Sequence, residues 1–138
     1  MSESAEVGVT GGDDPYNRAT YPWADLGGAP DTALLASFKQ IIALRNQHPV
    51  LRRGSLDAPL FADANVLVLA RRLGDTWALV ALNNAATAKT VSLALPEGLP
   101  AAALRDVLGA AVSAAPTVVQ GRLQLEVPPL FGRVLITP

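Results

Sequence analysis

Residues 31–54 read DTALLASFKQIIALRNQHPVLRRG, and this stretch divides the chain in two. Apolar residues at Leu34, Leu35, Phe38, Ile41, Ile42 and Leu44 recur three and four apart, the spacing of one stripe on an α-helix. Asp31, just ahead of them, offers a side-chain oxygen to the unpaired N–H groups of the first turn and a negative charge to the positive helix end. Arg45 complements the opposite pole. Pro49 lacks an N–H and disfavours helical geometry at His48, so the helix is expected to end near Gln47. One amphipathic helix is predicted, with an apolar side that needs a partner.

On the N-terminal side the chain is loop-like. Residues 1–10 carry no strong structural signal. Gly11 to Tyr21, GGDDPYNRATY, concentrates turn formers: two glycines, two aspartates able to bond nearby backbone, and Pro15 with its fixed φ. Leu26 to Pro30 is a flexible joint into the helix. After Gly54 the periodicity changes to that of strands. Val66–Arg72 and Thr76–Asn83 are rich in β-branched and large apolar residues and flank Leu73-Gly74-Asp75, which predicts a hairpin. Thr90–Leu95, Leu104–Leu108, Thr117–Gln120, Arg122–Val127 and Arg133–Thr137 add shorter strands between Gly, Pro and Ala-rich turns. The Ala-rich stretch 101–115 equally permits a turn of helix at Leu104–Leu108. Alternation in Arg122–Val127 predicts Leu123, Leu125 and Val127 inside and Arg122, Gln124 and Glu126 in water. The resulting expectation is mainly β: an antiparallel sandwich of about seven or eight strands, preceded by a loop and one helix. The boundary is expected near Gly54, giving segments 1–54 and 55–138.

Composition narrows the functional classes. The 138 residues are enough for one ordinary domain, and 50% hydrophobic against 5% aromatic residues predicts a core of Val, Leu and Ala. With 11 Lys+Arg against 12 Asp+Glu, bulk charge favours neither nucleic acid nor an anionic membrane. The absence of cysteine excludes disulfides, thiolate metal sites and cysteine catalysis. MSESAEVGVT lacks a basic start and a long apolar run, so no secretory signal is read, and a soluble, cytoplasmic chain is favoured. No stretch approaches the roughly 20 apolar residues of a membrane span.

The string Glu6 to Arg18, EVGVTGGDDPYNR, resembles a segment of the α-amylase family of glycoside hydrolases, and most closely its neopullulanase, cyclomaltodextrinase and maltogenic amylase branch. In that family a related stretch follows the eighth barrel strand. A Trp-Asp segment, the last barrel helix with an LIxLRxxHPxLRxG ending, and a C-terminal antiparallel Greek-key sandwich come after it. Here Pro22-Trp23-Ala24-Asp25, Ile42 to Gly54 and Val127 to Val134 stand in the same order. The resemblance implies the C-terminal part of an enzyme acting on α-glucans, with a retaining mechanism. It also implies roles for Asp14 and Arg18, which match the Asp and Arg lining the donor side of the substrate cleft in related enzymes. A retaining glycosidase needs two carboxyl groups about 5 Å apart across the scissile bond. In the family those groups sit on barrel strands, and a barrel takes about 250 residues. Where the family reads Gly-Asp-Glu, this chain reads Ser4-Ala5-Glu6. No catalytic residue is therefore assigned, and the chain alone is expected to be inactive.

Asp14, Arg18 and Trp23 are the candidate substrate-binding residues. Charge-assisted hydrogen bonds suit sugar hydroxyls, and an indole face packs on ring C–H groups. A surface turn held by an Asp14–Arg18 pair, and an indole that merely anchors the loop, are the structural alternatives. Tyr16 and Tyr21 are further stacking candidates, and Trp77 is read as core or edge packing. Adjacent side chains rarely converge on one bond, so Asp13 and Asp14 make a poor acid–base pair. Glu6 and Glu126 have no carboxylate partner in the sequence. His48, the lone histidine, is read as satisfying carbonyls at a helix C-terminus. No metal or cofactor is expected. The apolar face of Leu34, Leu35, Phe38, Ile41 and Ile42 is expected to meet a barrel, a second copy or the sandwich itself; an α-glucan oligosaccharide is the expected ligand, with neither nucleic acid nor membrane as partner. The competing readings are a standalone carbohydrate-binding or dimerisation sandwich, and a domain that only solubilises its parent.

Overall fold

The computed structural model describes residues 5–15, 17–109 and 114–138, and the chain divides into two compact units, 1–43 and 44–138. In the first unit a 3-10 turn at Ala5–Val7 leads into the loops, and the helix α1, Thr32–Gln47, begins. Asp31 caps it as expected: its Oδ1 accepts the Leu34 N–H at 2.8 Å. The Asp31 N–H returns to the Val7 carbonyl at 3.0 Å, so the N-terminal turn is tied to the helix start.

Helix α1 ends at Gln47, and Pro49 opens a second helix, α2, Pro49–Arg53, which the sequence reading did not include. Proline fits there because the first helical residue needs no N–H bond and its fixed φ is already helical. The imidazole of His48 caps nothing; its backbone N–H donates to Leu44 and its carbonyl accepts from Leu51, both at 3.0 Å. Arginines satisfy the α2 carbonyls instead. Arg71 donates to Leu51, to Gly54 at 2.7 Å and to Ser55 at 3.1 Å, and Arg45 also reaches the Leu51 carbonyl. Two cations thus face the negative end of this helix.

The second unit is an antiparallel sandwich of eight strands among the described residues. β1 is Phe61–Ala62, β2 Val66–Leu73, β3 Thr76–Asn83, β4 Lys89–Ala94, β5 Arg105–Asp106, β6 Thr117–Val119, β7 Arg122–Val127 and β8 Phe131–Ile136. One sheet has the order β1-β2-β3-β8-β5 and the other β4-β7-β6. The chain leaves β3 for β4 of the second sheet, returns as the edge strand β5, crosses again for β6 and β7, and ends with β8 inserted between β3 and β5, a Greek-key arrangement. β2 and β3 form the expected hairpin, with Leu73 opposite Thr76 and Gly74 at φ 61° in the two-residue turn. The β6–β7 turn holds Gln120 and Gly121 at φ 50° and 73°, both positive as a type I′ turn requires. Ala101–Ala103 is a 3-10 turn followed, after Leu104, by β5, so the Ala-rich stretch supplies both a helical turn and a short strand. Its residues 110–113 lie outside the described part.

Leu123, Leu125 and Val127 point inward as the alternation predicts, and pack with Val91 and Leu93 against Val66, Val68, Leu79, Ala81 and Leu135 of the other sheet. Trp77 is buried in the same core, with the Arg72 guanidinium 5.1 Å from its ring centroid. A smaller cluster on the outer face of the five-stranded sheet joins Val50 and Leu51 of α2 to Ala78 and Ile136. That packing makes α2 part of the sandwich unit. The two compact units divide between Ala43 and Leu44.

Candidate functional site

The loop of residues 11–18 carries the first two candidates. Asp14–Pro15 is a cis peptide, and the Arg18 N–H closes a turn on the Pro15 carbonyl at 3.1 Å. This turn brings the Arg18 Nε to 3.2 Å from Asp14 Oδ1, with side chains 76% and 70% exposed. The structure thus brings Asp14 and Arg18 together at the surface, where such a pair adds little stability. One carboxylate oxygen and the terminal guanidinium nitrogens bear no hydrogen bond among the described residues. They present an acceptor beside donors, the complement of vicinal hydroxyls. Asn17 Oδ1 is buried without a partner among the described residues, a position that no motif or spacing singles out. Tyr16 lies outside the described residues.

Trp23 sits in the next turn. Its carbonyl accepts the N–H groups of Leu26 at 3.1 Å and Gly28 at 2.9 Å. Gly27 has φ 82°, and a Cβ on Gly28 would lie 2.4 Å from the Pro22 carbonyl carbon, so both glycines are needed for this tight return. Trp23 is 57% exposed. Tyr21 packs against it with ring centroids 4.6 Å apart and planes inclined by 48°.

Among the described residues no group of three or more His, Asp or Glu converges on a point. Asp63 accepts the backbone N–H groups of Val66 at 2.7 Å and Asn65 at 2.8 Å, and these bonds hold its carboxyl below the usual carboxylate range. A group so disposed is ionised at neutral pH and is no general acid. Asp106 is engaged by Arg133, at 2.7 Å. His48 borders an open hollow of about 530 Å³ floored by Val50, Leu73, Val107 and Ile136, with no carboxylate side chain in its lining. No described helix is long and apolar enough to cross a membrane.

No family model matches the chain. An amylopullulanase of Thermoanaerobacterium thermosulfurigenes is 31% identical over 144 aligned positions, covering 96% of this chain and 7% of that enzyme. A cyclomaltodextrinase of Geobacillus thermopakistaniensis is 36% identical over 90 positions, covering 64% of this chain and 15% of the relative. Among solved structures, the α-amylase of Geobacillus thermoleovorans complexed with acarbose superposes with a TM-score of 0.78 at 25% identity. That match covers 96% of this chain and 28% of the amylase chain. The chain therefore spans only a small part of the proteins it matches. Across nearly all of its own length, in sequence and in fold, it belongs to the α-amylase family of glycoside hydrolases.

Proposed function

We propose that this chain is the non-catalytic C-terminal part of an α-glucan-acting glycoside hydrolase, a sandwich scaffold carrying one substrate-side loop. The observation that supports this most is the Asp14–Arg18 pair, whose side chains are 70% and 76% exposed and open to a ligand. In the complete enzyme Asp14 and Arg18 hold sugar hydroxyls and Trp23 covers a sugar face; the carboxylates that cleave the bond come from elsewhere in the enzyme. Hydrogen bonds to charged groups contribute about 1.5–3 kcal/mol. Asp14→Ala is therefore expected to weaken maltooligosaccharide binding at least ~10-fold, measured by titration calorimetry, with the unfolding midpoint unchanged. Undiminished binding by both Asp14→Ala and Arg18→Ala would remove the loop from the account.

A second element of the proposal concerns α1. Phe38, Ile41 and Ile42 are 42%, 56% and 57% exposed, and Leu34 and Leu35 beside them are half-buried. Each such side chain gains about 1.5–3 kcal/mol when fully covered. We propose that the parent enzyme's barrel covers this face, and that a second copy does so in the isolated chain. Sedimentation equilibrium should then show a dimer that Ile41→Asp converts to monomer. A monomer at every concentration, unchanged by Ile41→Asp, would refute the second copy.

A further inference from the structure

The hollow beside α2 takes no part in the loop chemistry, and its lining is chemically one-sided. We propose that it binds a medium-chain alkyl carboxylate, with the alkyl chain on its apolar floor and the carboxylate on Arg105. The site lies wholly within the sandwich unit, so it stands or falls apart from the α-glucan reading.

Short elements leave this space open. Helix α2 has five residues, a length of about 7.5 Å, and its Val50 and Leu51 pack on Ala78 and Ile136 at one part of the sheet's outer face. β5 has two residues, and the chain bends immediately after it. The hollow of about 530 Å³ is floored by Val50, Leu73, Val107 and Ile136, a size usual for small-molecule sites. Leu73 and Val107 are only half-buried, so an apolar ligand would take their remaining surface out of water. No Trp, Tyr or Phe lines the hollow, so nothing there stacks on a sugar or a nucleobase. The floor suits an aliphatic chain.

The rim supplies the charge. Its lining carries one arginine, Arg105, and no acidic side chain. Arg105 is exposed, and its Nη1 donates to the carbonyls of Ala102 at 2.9 Å and Leu104 at 3.0 Å. Those bonds hold the guanidinium and leave its Nε and Nη2 hydrogens without a partner among the described residues. Two parallel N–H groups on that edge form the fork that a carboxylate accepts bidentately. Asp106, the next residue, is engaged by Arg133 and does not compete. The His48 ring and the Thr76 hydroxyl line the same hollow and bear no hydrogen bond among the described residues, so further donors are at hand. An apolar floor with a cationic, donor-rich rim is the complement of an alkyl chain that ends in an anion.

The test uses the full chain with isotope-labelled Ile, Leu and Val methyl groups, titrated with sodium octanoate below its micelle-forming concentration at constant ionic strength. Octanoate should shift the Val107 and Ile136 methyl signals. Those of Leu79 and Leu125, buried between the sheets, should stay in place and report an intact fold. Hexanoate should bind roughly 10-fold more weakly, the effect of two fewer buried methylenes. Octanol, with the chain but not the charge, should bind roughly 3- to 10-fold more weakly than octanoate, the range set by an exposed guanidinium. Arg105→Gln should lower the octanoate affinity by that same factor and leave the octanol affinity unchanged. Octanoate binding equally to the parent and to Arg105→Gln would overturn the assignment of the carboxylate. Shifts centred on Leu34, Ile41 and Ile42 would put the ligand on α1 and overturn the site. Val107 and Ile136 signals unmoved at every concentration below micelle formation would overturn it as well.

Discussion

Asp106→Ala is expected to destabilise the sandwich by about 3–5 kcal/mol, because it strands a buried cation. The Arg133 side chain is 2% exposed, and its Nε donates to Asp106 Oδ2 at 2.7 Å. A terminal nitrogen of the same guanidinium donates to the carbonyls of Ala114 and Glu126, both at 3.0 Å. One side chain on β8 therefore ties together β5, the segment entering β6, and β7. The carbonyls satisfy hydrogens but do not neutralise charge, so removing the carboxylate alone is the costly change. The double variant Asp106→Leu/Arg133→Met should recover much of the loss, since apolar replacement of a buried pair is often neutral. It should not recover all of it, because the two carbonyls lose their donors. Urea unfolding of the parent, both single variants and the double variant measures this coupling. Asp106→Ala within about 1 kcal/mol of the parent would mean that the pair is in effect solvated.

Asn83→Ala should cost about 2–4 kcal/mol. Asn83 ends β3 and is 4% exposed. Its Nδ2 donates to the carbonyls of Thr87 at 2.9 Å, Val127 at 3.2 Å and Pro128 at 3.1 Å, and its Oδ1 accepts the Ala85 N–H at 2.9 Å. The amide thus shapes the crossover out of β3 and fastens it to the end of β7 in the other sheet. Alanine leaves these groups unsatisfied where water has little access. Asn83→Asp should be no better, since a carboxylate offers no donor to three carbonyls. A shifted urea midpoint with an unchanged slope is the expected result. An unshifted midpoint would show that water replaces the amide.

These two residues also mark the limit of what the sequence discloses. The strands of β7 and the β2–β3 hairpin are legible because alternation and a central Gly-containing turn are local signals. The Asp31 cap is legible for the same reason, and so is the Asp14–Arg18 pair, since it is closed by a short turn. β8 begins at Phe131, two residues before the predicted start at Arg133, because Gly132 reads as a turn former. In the structure that glycine is a strand residue, since a Cβ there would lie 2.9 Å from the Ala81 carbonyl oxygen. β1 is two residues long, too short for any periodicity to register. Helix α2 is hidden because one proline both stops α1 and starts its successor. The Arg133–Asp106 and Asn83 networks join residues that are neighbours only after the sandwich closes, and no spacing rule announces them. In the candidate site, the family resemblance of the loop pointed to Asp14 and Arg18, and residue type pointed to Trp23. The Tyr21–Trp23 contact depends on how the turn between them folds, which residue type does not announce.

The central claim is that this chain scaffolds an α-glucan hydrolase without holding the groups that break the bond. Reducing-sugar release from maltodextrin by the purified chain tests it most directly. The account predicts no release above a buffer control over hours, while the same preparation unfolds cooperatively in urea. Sustained release that survives removal of contaminating amylase, and that is lost on replacing an acidic residue of this chain, would contradict it.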